Sequence, residues 1–289
     1  MSSILVMGSD GQLGSEFKAI STSYPFHTFT FLRRADVDLT DTAAIEEYFL
    51  GKEFDFIVNC AAYTAVDKAE SESDLADTIN HKAVETLALI AKEKNISLIH
   101  ISTDYVFGGK NYRPYIESDP TDPQCIYGKT KLDGENAILA IAPTNSVIIR
   151  TSWVYSFFGA NFVKTMLRLA KERESLSVVY DQVGTPTYAR DLAKAVVEII
   201  PKIQNSKVEI YNYSNEGVLS WYDFAKEIMK MAKLNCIINP IETKDYPTPA
   251  TRPNYSLMNK SKIKNDFGIT IPYWKDSLSE CLKLLGEKR

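Results

Sequence analysis

The chain has 289 residues, 45% of them hydrophobic and 24% charged, with a formal net charge of −4. That balance supplies a substantial core and no basic excess to neutralise phosphates, which excludes nucleic acid as the main partner. No apolar run approaches the ~20 residues of a membrane span, no cleavable leader pattern precedes the first strand, and four scattered cysteines without a CxxC pair point to free thiols in the cytoplasm rather than zinc or a redox dithiol.

In chain order, Ile4–Met7 is a short apolar run stopped by Gly8, and Gln12–Ile20 has helical spacing. Thr28–Leu32 reads as a second strand, and Ala43–Leu50 as a helix capped by Thr42. Phe56–Cys60 is a third strand, Ala76–Glu93 a long amphipathic helix, and Ser97–Ser102 a fourth strand. A helix over Cys125–Ile141 and a strand over Ser146–Thr151 complete the first half. Short apolar strands alternating with helices predict a doubly wound, mostly parallel α/β sheet of Rossmann type, with ligand sites at the carboxyl ends of its strands.

The second half is less regular. Helices are expected at Asn161–Glu174, Asp191–Ile200 and Ser220–Lys233, strands at Ser177–Tyr180 and Glu209–Asn212, and a proline-rich loop over a site at Thr243–Asn254. The expected division is a dinucleotide-binding domain over 1–155, to which 189–215 and 252–264 return, and a smaller interleaved substrate lobe drawn mainly from 156–289.

Gly8-Ser-Asp10-Gly11-Gln12-Leu13-Gly14 directly follows the first strand and opens the first helix. Gly8 permits a tight turn, Gly11 lets backbone approach a pyrophosphate, and Gly14 lets helix and strand pack closely. The helix N-terminus adds unpaired N–H groups and partial positive charge. A glycine turn without a ligand is the plainer alternative. Arg33 and Arg34 follow the second strand, where an acidic residue would hold a ribose hydroxyl; arginine suits a 2′-phosphate and favours NADPH, with NADH possible. A solvated basic pair is the competing reading. Asp38, with Leu39 beside it, can meet adenine or simply turn the chain.

Tyr127 and Lys131 lie four residues apart on one helix face. A lysine ammonium ~4 Å from a phenol favours the phenolate by ~4 kcal/mol at an effective dielectric of ~20, enough to bring proton exchange toward neutral pH. Thr103, after Ser102 at the end of the fourth strand, can polarise a substrate carbonyl. Any one of these features is common; the three in this order are not.

Together these residues resemble the extended short-chain dehydrogenase/reductases, and more closely the dTDP-4-dehydrorhamnose reductase family. The resemblance covers nearly the whole chain. It rests on Gly11–Gly14, Asn59–Glu70, Ser102–Phe107, Tyr127–Lys131, Arg150–Tyr155, Asn161–Met166, Asp181–Thr187 and Pro247–Pro253. It implies NADPH-dependent reduction of the C4 ketone of dTDP-4-dehydro-β-L-rhamnose. It further implies cofactor contacts at Gly11, Gln12, Leu13, Ala61, Ala62, Tyr63 and Thr64, catalysis by Thr103, Tyr127 and Lys131, and a sugar-nucleotide site at Asp104, Tyr105, Trp153 and Arg252. Some members bind magnesium through glutamates between two subunits. Glu16 and Asp191 could occupy two such positions, but no third carboxylate joins them, so both are expected to be solvated and no metal is expected. A homodimer stays open.

Two alternatives also stay open. One is an epimerase or dehydratase on the same fold, although a dehydratase needs an acid/base pair beside the threonine and Asp104 is followed here by Tyr105. The other is a non-catalytic NADP-binding subunit of the methionine adenosyltransferase type. Against it stand the segments Thr151–Tyr155 and Asp181–Thr187, which read as a sugar pocket.

Overall fold

Alternate residues of the first strand, β1 (Ser2–Met7), feed opposite faces of one sheet: Ile4 and Val6 enter one core, Leu5 and Met7 another. A strand buried on both faces needs helices above and below, and the computed structural model, which describes residues 1–286, has them. The other strands are β2 (His27–Leu32), β3 (Phe56–Asn59), β4 (Ser97–Thr103), β5 (Val147–Thr151) and β6 (Glu209–Tyr213). All pairings are parallel, in the order β2-β1-β3-β4-β5-β6. Helices Gln12–Ile20, Ala189–Ile199 and Ser261–Phe267 cover the Ile4 face; Thr42–Tyr48, Ala83–Glu93 and Ile126–Ile141 cover the Leu5 face. The strand order reverses between β1 and β3, the position at which open parallel sheets present their ligand crevice.

A separate apolar core gathers Phe162–Glu172, Ser175–Val179, Trp221–Ala232 and Trp274–Leu284. Ser220 caps the third of these through a reciprocal box with Asp223.

The structure departs from expectation in several places. The cap of Thr42–Tyr48 is Asp41, whose carboxylate accepts from the N–H groups of Ala43 and Ala44, so Thr42 lies inside the helix. The long helix begins at Ser73 and passes through a π turn at Thr78–Lys82 before continuing as Ala83–Glu93. Periodicity does not foresee the strand Ile237–Ile241, which contains Pro240 and pairs on one side only with Ser175–Val179, nor the helices Ser261–Phe267 and Trp274–Leu284. Among the described residues, no helix is long and apolar enough to cross a membrane, and all four cysteines are free.

Candidate active site

One cavity of about 700 Å³ lies along the carboxyl ends of β1 to β5. It is lined by the glycine turn (Gly8, Asp10, Gly11, Gln12 and Leu13) and by Arg33, Arg34, Asp38 and Leu39 after β2. Ala61, Ala62 and Thr64 follow from the end of β3, then Ser102, Thr103, Asp104 and Tyr105 from β4. Tyr127, Lys131 and Trp153 close the far side.

The turn has the shape for a dinucleotide. Gly8 has φ +71°, and a Cβ there would stand 2.8 Å from the Ala61 backbone. Gly11 is the N-cap of helix Gln12–Ile20, its own N–H given to the Gly8 carbonyl at 3.0 Å. Gly14 does not line the cavity; a Cβ on it would collide with the Gly8 carbonyl, so it serves helix–strand packing.

The two arginines differ. Arg33 is already spoken for: its backbone N–H, Nε and Nη2 all donate to Asp36, at 2.7–3.0 Å. Arg34 lines the same cavity and makes no hydrogen bond or ion pair among the described residues. Asp38 accepts the Thr40 N–H at 3.0 Å and so turns the chain while facing the cavity.

Two expected contacts lie off the cavity wall. The Tyr63 hydroxyl donates to Glu72 at 2.5 Å, and its backbone is held by Asn80, which accepts the Tyr63 N–H and donates to its carbonyl and to Thr130. Asn80 sits in the π turn, an irregularity that lets this side chain reach both the loop after β3 and helix Ile126–Ile141. Arg252 pairs with Asp67 at 2.7 Å rather than offering an open fork to the cavity.

Tyr127 and Lys131 are both buried on the cavity face of their helix. The expected lowering of the phenol by the lysine is not what the geometry gives. Burial pushes the Tyr127 phenol up, offset only in part by the Thr103 hydroxyl. Lys131 turns its Nζ to the Ile101 carbonyl at 2.7 Å and to His100 Nε2 at 3.0 Å. Burial lowers its amine to about 8, against the pull of Glu135 and Cys60. Thr103 donates to Asp104 at 3.1 Å and accepts the Tyr105 N–H. Burial raises the Asp104 carboxyl to about 7, more than the Thr103 hydrogen bond and the nearby Ser256 hydroxyl draw it back. Ser102 lines the cavity but gives its hydroxyl to Glu135, which also takes a bidentate bond from Arg150 in a pair almost wholly buried.

Trp153 stands at φ +49°, a conformation uncommon outside glycine, with its ring between Trp221 and Gly184. Sequence reasoning did not single out Trp221 or His100, and took Asn161 only as the start of a helix and of a segment shared with the family. A Trp or a His alone carries no positional signal; only the three-dimensional neighbour does. Asn161, the cap of Phe162–Glu172, donates to Gln12 at 3.0 Å and ties the second core to the glycine turn.

The two carboxylates weighed for metal are not solvated. Glu16 is fully buried against Ser156 and Arg190, and Asp191 is buried against Asn215 and Ser277. Elsewhere, Asp77, His81 and Asp133 bring potential ligand atoms within 4.8 Å of one another, but Asp77 already pairs with His81 and Lys82.

A doubly wound sheet with a glycine turn at its switch point, and a threonine, tyrosine and lysine around one crevice, has the architecture of the extended short-chain dehydrogenase/reductases. A family model described as the RmlD substrate binding domain matches residues 1–286. A dTDP-4-dehydrorhamnose reductase of Aggregatibacter actinomycetemcomitans is 39% identical over 287 residues, covering 96% of this chain and 97% of the relative. The crystal structure of a dTDP-4-dehydrorhamnose reductase from Clostridium acetobutylicum superposes with a TM-score of 0.93 at 39% identity, over 98% of this chain and 99% of that one. That of Bacillus anthracis, a complex with NADP, gives 0.91 at 33% identity over 98% and 99%. The chain belongs to the dTDP-4-dehydrorhamnose reductase family.

Proposed function

We propose that the protein uses NADPH to reduce the C4 ketone of dTDP-4-dehydro-β-L-rhamnose, giving dTDP-L-rhamnose. The observation that carries this reading is the continuity of one cavity from the glycine turn, past Arg34, to Thr103, Tyr127 and Trp153. It joins a diphosphate cradle to a proton donor and an aromatic wall.

Gly8, Gly11 and the N-terminus of helix Gln12–Ile20 would hold the cofactor diphosphate, and Arg34 its 2′-phosphate. The bound cofactor supplies hydride. Thr103 orients the ketone by hydrogen bonding to its oxygen, and Tyr127, kept as a phenol by burial, gives that oxygen its proton. Trp153 flanks the sugar. Apolar neighbours around the β4 end, including Ile101 and Val66, exclude water from the transfer.

The test is nicotinamide absorbance with purified protein, NADPH and dTDP-4-dehydro-L-rhamnose made in place by the upstream enzymes. Substrate-dependent loss of the reduced-nicotinamide band is expected. No loss, with NADPH still binding by titration, would overturn the reading.

A further inference from the structure

We propose that Asp67 is a positioning residue for the sugar nucleotide: it holds Arg252 beside Tyr105, where the guanidinium receives the substrate's diphosphate. Asp67 sits on the short helix Val66–Ala69, next to Thr64 and Val66 of the cavity wall. Its carboxylate holds one segment at two points. Oδ1 accepts the Ala250 N–H at 3.3 Å, and Oδ2 accepts Arg252 Nη2 at 2.7 Å. That segment is a strap whose ends are tied elsewhere, to the turn after strand Ser175–Val179. Thr243 gives its N–H and its hydroxyl to Asp181, and the Asn254 carbonyl accepts the Val183 N–H at 2.8 Å. Between these anchors Pro247, Pro249 and Pro253 have no N–H to offer. Asp67 thus fastens the middle of the strap to the chain that leaves β3.

The strap reaches the cavity through its neighbours. Ala250 is 1% exposed and shares a cluster with Tyr105 and Tyr127, both of which line the cavity. Burial pushes the Tyr105 phenol up, and the Arg252 charge pulls it partly back. A guanidinium carries several donors in a planar fork. Asp67 takes a bond from Nη2, while Nε and Nη1 have no hydrogen-bond partner among the described residues. Those donors suit phosphate oxygens, and the cofactor's own diphosphate is already provided for at the glycine turn. With Arg252 25% and Asp67 39% exposed, the ion pair adds little to stability. Its effect is on freedom: an arginine held before the ligand arrives has fewer rotamers to lose on binding. Asp67 also repels a phosphate, but at this exposure water and salt screen that repulsion. The diphosphate's place in a reductase substrate rests on the proposed function; the clasp of Asp67 on Arg252 does not.

The test is calorimetric titration with dTDP, which needs no turnover. Asp67→Asn should weaken dTDP roughly tenfold and leave NADPH affinity unchanged. Arg252→Ala should weaken dTDP at least as much. Adding Asp67→Asn to Arg252→Ala should cost nothing further, because no guanidinium remains to be aimed. Wild-type or tighter dTDP binding by Asp67→Asn would overturn the proposal, and so would losses that simply add, or a wild-type protein that takes up no dTDP. If Asp67→Asn does not fold, ¹⁵Nε-arginine NMR of the wild type decides, with Arg252 assigned by Arg252→Lys. Its Nε signal should shift on adding dTDP; an unmoved signal refutes the role. Non-additive dTDP losses without NADPH oxidation would leave the clasp standing and sink the reductase reading. Normal oxidation with dTDP binding indifferent to Asp67 would do the reverse.

Discussion

The rings of Trp153 and Trp221 stack with centroids 3.7 Å apart and planes 13° from parallel. Trp153 follows β5, and Trp221 opens a helix of the second core, so the pair joins the sheet to the lobe at the cavity wall. An aromatic pair adds ~0.5–1.5 kcal/mol beyond its buried area. Trp221→Ala should therefore raise KM for the sugar nucleotide by roughly 2- to 10-fold, with NADPH affinity unchanged. Steady-state kinetics against each substrate checks this, and equal weakening of both would point to general unfolding instead.

Tyr127→Phe removes the proposed proton donor while leaving the ring in place. A fall in kcat of about 100-fold or more is expected, with NADPH binding held. Fluorescence titration of NADPH beside turnover measures both.

Arg33 and Arg34 should separate. Arg34→Ala should weaken NADPH by roughly tenfold, as a lost phosphate contact does, and NADH hardly at all. Arg33→Ala should do less, because Asp36 already engages that guanidinium. Parallel titrations of the two dinucleotides with each variant decide it.

Asp104 makes stability depend on pH. Its carboxyl is raised to about 7 in the folded chain, above the ordinary carboxylate value of 3.8. The folded state therefore binds the proton more tightly than the unfolded state. Its relative stability is full below about pH 4 and declines until the pH passes about 7. Asp104→Asn lacks this loss, so urea unfolding should find it gaining on wild type across that window by up to about 4 kcal/mol. A difference that does not change with pH would remove the buried-acid account.

The buried pair Arg150–Glu135 meets at 2.6 Å with both side chains 3% exposed or less. Arg150→Met alone should cost ~3–5 kcal/mol, because it strands a charge, while adding Glu135→Leu should recover most of that. Chemical denaturation of the single and double variants gives the comparison.

Much of the sheet was readable because inner strands carry short apolar runs: Ile4–Met7 and Phe56–Val58 need no partner to be recognised. The glycine turn was readable because each glycine answers a local steric demand. Trp274–Leu284 was not, since its buried residues face a core assembled from distant segments, and its apolar content is thin by itself. Lys131 and Tyr127 stood out as residue types at helical spacing, but their burial, and the contacts of Lys131 with the Ile101 carbonyl and with His100, thirty-one residues away, needed the fold. Arg33 and Arg34 looked equivalent; only the position of Asp36 after folding separates them.

The sheet is not complete until β6 (Glu209–Tyr213) pairs with β5. Everything between those strands must be synthesised first, including the first half of the second core. A nascent chain therefore carries β5 as an open edge while residues 152–208 are made, a state prone to pairing with other chains. Docking β6 closes a long loop, which makes late folding slow and tightly coupled between the two cores. Truncation after β5 should yield not a free dinucleotide-binding module but an aggregating fragment. In this molecule the order in which the ribosome delivers the pieces runs against the order in which the sheet needs them.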